Sequence, residues 1–169
     1  MREAIRKLEL EGLVIMLPRK GAYVANISVK DLMDVLEIRA SLEGLGASLA
    51  AERRNDEDIK NLEELEVEFE EAVRTQNIDM LLKKDIEFHE CIFKAANNKK
   101  LEKMINTLWE QVQRFRITYV SDSNASLSLI DEHQSILNAI KEGNIADSKK
   151  FAIKHIEKAE QFMLEHCTK

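Results

Sequence analysis

The sequence predicts an all-α antiparallel bundle of six to seven helices, preceded by a short helix and a β-hairpin, and three observations predict it. Only five glycines and one proline occur in 169 residues, and Leu, Glu, Lys and Ala, good helix formers, are abundant. From residue 28 onward apolar residues recur at spacings of three and four, the period of a helix with one buried face. Short polar residues followed three positions later by an acid mark successive helix starts: Ser28 with Asp31, Asn55 with Asp58, Asn144 with Asp147. In such pairs the polar side chain satisfies an orphan backbone donor, and the acid favours the positive helix end.

Taken in order, residues 1–12 read as a helix with apolar positions Ala4, Ile5, Leu8 and Leu10, stopped by Gly12. Leu13-Val14-Ile15-Met16 and Ala22-Tyr23-Val24-Ala25 flank the turn Pro18-Arg19-Lys20-Gly21, the pattern of a hairpin. This stretch is too small to bury a core and reads as a fragment of a larger module. Helices follow at about 28–52, 56–75, 78–96, 99–120, 126–142 and 145–166, with Asn77 and Ser126 as further candidate caps and residues 121–124 as a polar break. Short connections favour antiparallel neighbours. The division is therefore 1–27, the helix and hairpin, and 28–169, the bundle.

The net charge is −6, unevenly spread. Residues 1–27 carry Arg2, Arg6, Lys7, Arg19 and Lys20 against Glu3, Glu9 and Glu11, a small basic excess on an acidic body. That offset fits a head that meets DNA. No apolar run approaches the roughly 20 residues that span a bilayer, and the first residues lack a signal-peptide core, so a cytoplasmic protein without a membrane partner is expected. Cys91 and Cys167 are the two cysteines, too few for a disulfide framework. The first reads as a small buried residue and the second as an exposed tail thiol.

Polar residues occupy places where apolar ones belong. One inward stripe reads Leu82, Asp85, His89, Ile92, Ala96. Asp85 and His89 are four apart, so their side chains share a face, and burying both unpaired is costly. The stripe Ile130, His133, Leu137, Ile140 and the stripe Ala152, His155, Ala159, Phe162 repeat the anomaly. Each histidine alone is readily a core residue bonded to a backbone carbonyl. Together with the aspartate they also suit a shared divalent ion, Zn²⁺ foremost, with Ni²⁺, Mn²⁺ or Fe²⁺ as alternatives. The pattern by itself leaves both readings open.

The segment REAIRKLELEGLVIMLPRKGAYVA at 2–25 resembles the end of the winged helix-turn-helix of GntR-type transcription regulators, recognition helix and wing. EIRASLEGLGASLAA at 37–51, DIEFHECIFKAANNKKL at 85–101 and EHQSILNAIKEGN at 132–144 resemble the helical effector-binding domain of the FadR-like branch, the FCD domain. This resemblance implies a dimeric bundle with a central metal held by Asp85, His89, His133 and His155. It implies a small organic acid or sugar acid as effector, with Arg39, Asn98 and Arg114 as effector-binding candidates. Arg116 is a further arginine within reach of the cavity. In the head, the resemblance makes Arg2, Arg6, Arg19 and Lys20 candidates for DNA contact. The family has two helices before the recognition helix where this sequence has Met1, so operator binding is expected of a full-length form.

A metal-dependent hydrolase and a purely structural helical dimerisation module are the alternatives. Against the first, Asp85 is occupied as a ligand, and Glu132, beside His133, cannot share its helix face. There is no nucleophile motif or phosphate-binding glycine loop either. The expectation is a regulator, not an enzyme.

Overall fold

The structure, a computed structural model, describes residues 2–10, 14–24 and 28–167, apart from the side chains of Arg2, Val24, Arg114 and Cys167. The expected tail thiol of Cys167 therefore lies outside the described residues, while Cys91 is buried as expected. The head comprises α1 (Arg2–Leu10) and the antiparallel pair β1 (Val14–Leu17) and β2 (Gly21–Val24), paired Val14 to Val24 and Leu17 to Gly21. The turn between them uses left-handed backbone at Arg19 and Gly21, with φ of 65° and 97°. Strain at Arg19 is tolerable in a tight turn, and glycine carries no penalty there.

Six long helices form the body: α2 (Val29–Arg53), α3 (Asp56–Arg74), α4 (Ile78–Ala95), α5 (Lys99–Ser121), α6 (Ser123–Glu142) and α7 (Ile145–Cys167). The caps do what their chemistry dictates. Ser28 Oγ accepts from the Asp31 amide at 3.1 Å, and Asp31 accepts in return from the Ser28 amide. Asn55 and Asp58 form the same reciprocal box. Asn144 accepts from the Asp147 amide at 3.1 Å, and Asn77 from that of Met80 at 3.1 Å.

One boundary differs from expectation. The polar break contracts to Asp122 alone, which ends α5 and caps α6 by accepting from the Asn124 and Ala125 amides at 3.0 and 2.9 Å. Ser126 is not a cap but lies buried, its hydroxyl donating back to the Ser123 carbonyl. A carboxylate is a stronger acceptor for orphan amides than a hydroxyl, so the helix starts at the acid.

Close approach of α2 and α7 needs small residues. A Cβ at Gly44 would stand 2.7 Å from Ile153 Cγ1, so the residue there must have none. The apolar interior divides into two main clusters. One gathers Leu32, Leu36, Phe69, Leu129, Ile156 and Met163. The other gathers Ala47, Leu62, Phe88, Ile92, Ile136 and Ile140. A smaller one joins Phe93, Leu101, Ile105 and Trp109. On each of α2, α3, α4, α6 and α7 a buried polar residue, Glu43, Glu66, Asp85, His133 and His155 respectively, falls between the positions given to the two main clusters. Glu66, for example, lies between Leu62 and Phe69 on α3. The bundle is therefore crossed at mid-height by one polar layer, and that layer is the site.

Candidate metal centre

Every helix of the body contributes to the layer: Arg39 and Glu43 from α2, Glu66 from α3, Asp85 and His89 from α4, Arg116 from α5, His133 from α6 and His155 from α7. All are buried, and His133 has no exposed surface. One nitrogen from each of His89, His133 and His155 lies within 4.8 Å of the others. Asp85 joins them through Oδ1, 3.5 Å from His133 Nε2 and 4.0 Å from His89 Nε2. Its other oxygen, Oδ2, accepts from Arg116 Nε at 2.5 Å. The four residues that the sequence singled out on three helices thus converge on one point.

Three glutamates flank that point, none of them singled out as a site residue by the sequence. Glu43 Oε2 faces His89 Nδ1 at 3.3 Å, Glu66 Oε2 faces His133 Nδ1 at 3.5 Å, and Glu132 Oε2 faces His155 Nδ1 at 2.9 Å. Glu132 does lie on a different face from His133, as consecutive helix residues must, but that face meets α7. Glu43 is also a hub, its Oε1 accepting from Arg39 at 3.0 Å and from the Trp109 indole at 2.9 Å. Phe88 stacks on the His133 ring with centroids 4.3 Å apart, and Phe69 lies 4.7 Å from it on another side.

The electrostatics follow from burial and pairing. Burial pushes the His89 imidazole down, against the pull of Glu43 and Asp85, to about 4, so the ring is neutral at neutral pH. Burial alone would raise the Asp85 carboxyl, but Arg116 and the surrounding imidazoles outweigh it and hold it well below the usual range. Glu43 is likewise held low by His89, Arg39 and Trp109 against the cost of burial. Glu132 sits at about 2, because His155, Lys158 and Ser128 overcome its partial desolvation. Neutral imidazole and ionised carboxylate are the forms that bind a cation.

The layer also contains polar atoms without partners. Both ring nitrogens of His133, both carboxylate oxygens of Glu66, Arg39 Nε and Arg116 Nη2 are buried and make no hydrogen bond. Such atoms are rare in native interiors, and their placement around the histidines suits a cation or a polar ligand held there. Beside them lies a small cavity, about 30 Å³ of space open to water-molecule centres, with Leu36, Arg39, Asp85, His89, Arg116 and His155 in its wall. Arg116 also lines an open groove with Ile86, Glu90 and Trp109.

Of the effector-binding candidates, Arg39 lines the cavity, and the Arg114 side chain lies outside the described residues. Asn98 is placed elsewhere. It caps α5, accepting from the Lys100 and Leu101 amides at 3.2 Å each, and it is not in the cavity wall. The arginine that α5 brings to the cluster is Arg116. In the head, Arg6, Arg19 and Lys20 are exposed, and the Arg2 side chain lies outside the described residues.

A family model for the FCD domain matches residues 34–158, which hold the whole polar layer. The chain belongs to the FCD family. Among relatives of this FCD chain is the HTH-type transcriptional regulator YdhC of Bacillus subtilis, 25% identical over 156 residues that cover 92% of this chain and 70% of the relative. The Nta operon transcriptional regulator of Aminobacter aminovorans is 27% identical over 165 residues, 98% of this chain and 77% of the relative. The fold matches the structure of E. coli McbR/YncC with a TM-score of 0.87 at 19% identity, over 98% of this chain and 83% of that one. The FCD chain is thus a GntR-type transcription regulator of the FadR-like branch. No helix among the described residues is long and apolar enough to cross a membrane.

Proposed function

We propose that the FCD body is a sensor in which Asp85, His89, His133 and His155 hold one divalent metal ion and a small carboxylate effector binds beside it. The observation that carries the reading is His133, fully buried with both nitrogens unbonded and its Nε2 turned towards Asp85 and two further imidazoles. A cation at the centre satisfies Nε2 together with Asp85 and the neighbouring imidazoles, and leaves Nδ1 to Glu66. The donor set suits Zn²⁺ first, with Ni²⁺, Mn²⁺ or Fe²⁺ as alternatives. Carboxyl groups outnumber guanidinium groups in the layer, which also favours a cation. Bound there, the metal supplies a positive centre that fixes the cavity wall and attracts an anion.

Arg39 and Arg116 supply the rest of the effector's binding. Each keeps one buried N–H unbonded and both line the cavity, so a carboxylate entering it meets two charge-assisted donors. The cavity as it stands admits little more than a few water molecules, so a larger acid needs movement of its wall, for which Arg116, shared with the outer groove, is the candidate. Movement of that kind shifts α5 or its side chains, and only a pose that binds the acid better is favoured by it. In a dimer, such a shift changes how two recognition helices meet an operator, with Arg2, Arg6, Arg19 and Lys20 as contacts.

Elemental analysis after mild dialysis tests the metal, and thermal melting tests the effector. About one divalent ion per chain is expected, lost in Asp85→Asn. Small carboxylates are expected to raise the Tm of the metal-loaded protein, while their uncharged amides do not. A chain that takes up no Zn²⁺, Ni²⁺ or Mn²⁺ on incubation is a structural helical module instead. Amides as effective as the acids would remove the carboxylate assignment.

A further inference from the structure

Resting on the metal reading above, we propose that Glu43, Glu66 and Glu132 are positioning residues that set the tautomer of the three histidines, so that every Nε2 lone pair faces the centre. One juxtaposition repeats at all three histidines. In all three pairs the carboxylate meets the same ring atom, Nδ1, at 3.3, 3.5 and 2.9 Å. In each pair the glutamate comes from a different helix than its histidine: α2 to α4, α3 to α6, α6 to α7. No backbone geometry common to the three pairs forces this. A neutral imidazole carries one ring proton, and a carboxylate beside Nδ1 draws it there, leaving Nε2 as the acceptor or metal ligand. Carboxylates placed in this way orient metal-binding histidines and raise their basicity.

Glu66 makes the strongest case. It is buried on α3 among apolar residues, and neither carboxylate oxygen has a hydrogen-bond partner. Glu43 also serves Arg39 and Trp109, and Glu132 also serves Lys158 and Ser128. Glu66 faces His133 Nδ1, and the assignment to that imidazole accounts for its place in the interior.

The test is heteronuclear NMR of the histidine ring nitrogens in the wild-type chain, with zinc affinities measured by competition with a chromogenic chelator. Without zinc, His89, His133 and His155 are expected to carry the proton on Nδ1, and with zinc each is expected to bind through Nε2. Glu66→Gln is expected to weaken zinc binding about 10–100-fold while leaving the melting curve in chelator close to wild type. Protonation on Nε2 in the metal-free chain, or ligation through Nδ1, would overturn the proposal. So would a folded Glu66→Gln chain that binds zinc within twofold of wild type. If Glu66→Gln does not fold, the wild-type tautomers decide. If wild type binds no zinc, the metal reading fails, and the metal-free tautomers still decide this proposal separately.

Discussion

Replacing the Glu66–His133 pair by Met and Leu should stabilise the metal-free protein and remove most of the stabilisation that zinc brings. His133 has no exposed surface, Glu66 is 5% exposed, and none of their side-chain polar atoms makes a hydrogen bond. Each unsatisfied buried polar group costs about 1–3 kcal/mol, and the 3.5 Å contact between the two returns only part of that. Methionine and leucine are close in size to the residues they replace, so little packing is lost. Exchanges of this kind stabilise by about 1–4 kcal/mol. The double variant Glu66→Met/His133→Leu is therefore expected to be more stable than wild type in chelator by that amount. Zinc at a hundred times its Kd adds about 2.7 kcal/mol to wild type, and at a thousand times about 4.1 kcal/mol, but adds much less at the same concentration to a variant that has lost one of the four ligands. Urea denaturation followed by circular dichroism, in chelator and in zinc, reads both effects. A variant less stable than wild type in chelator, or a zinc effect equal in both proteins, would refute the reasoning.

Three further outcomes follow from the same geometry. Metal-free protein should lose stability on acidification: His89 drops from 6.5 to about 4 on folding, so the native state binds fewer protons between those values. Stability is then full above about pH 6.5 and declines towards pH 4, by about 3 kcal/mol for this group. The lowered Asp85, Glu43 and Glu132 extend the loss below that, and a pH-independent urea midpoint between 7 and 4 would contradict it. Gly44→Ala should destabilise by about 1–3 kcal/mol, because its Cβ meets Ile153 in the packed face between α2 and α7; an unchanged midpoint would show that the two helices separate freely. Asn98→Ala should cost about 1 kcal/mol as a lost cap and leave both zinc affinity and any carboxylate-induced Tm shift unchanged, since its side chain is spent on the α5 amides.

The helices and the clustered Asp85, His89, His133 and His155 are legible because their signals are local. Caps such as Ser28 and Asn55 act within three residues, and His133 or His155 stands out as the polar member of an otherwise apolar stripe. The carboxylates around them are not. Glu66 sits in the inward row Leu62, Glu66, Phe69, yet its neighbours Glu63, Glu64, Glu68, Glu70 and Glu71 make one more acid on that helix unremarkable. Glu43 lies one turn from Arg39 and reads as an ordinary i,i+4 ion pair, which it also is. Glu132 does not share a face with His133, and its partner is 23 residues away on α7, a distance that only packing reveals. Asn98 belonged to a resembling segment, and its use as a cap emerged only with the α5 amides in place.

The most direct measurement is anomalous diffraction at the zinc edge from crystals of the zinc-loaded chain. The account predicts one peak per chain in the polar layer, about 2.0–2.2 Å from His89 Nε2, His133 Nε2, His155 Nε2 and an Asp85 oxygen. Strong peaks only at surface carboxylates, with the layer empty and His133 still unbonded, would contradict it.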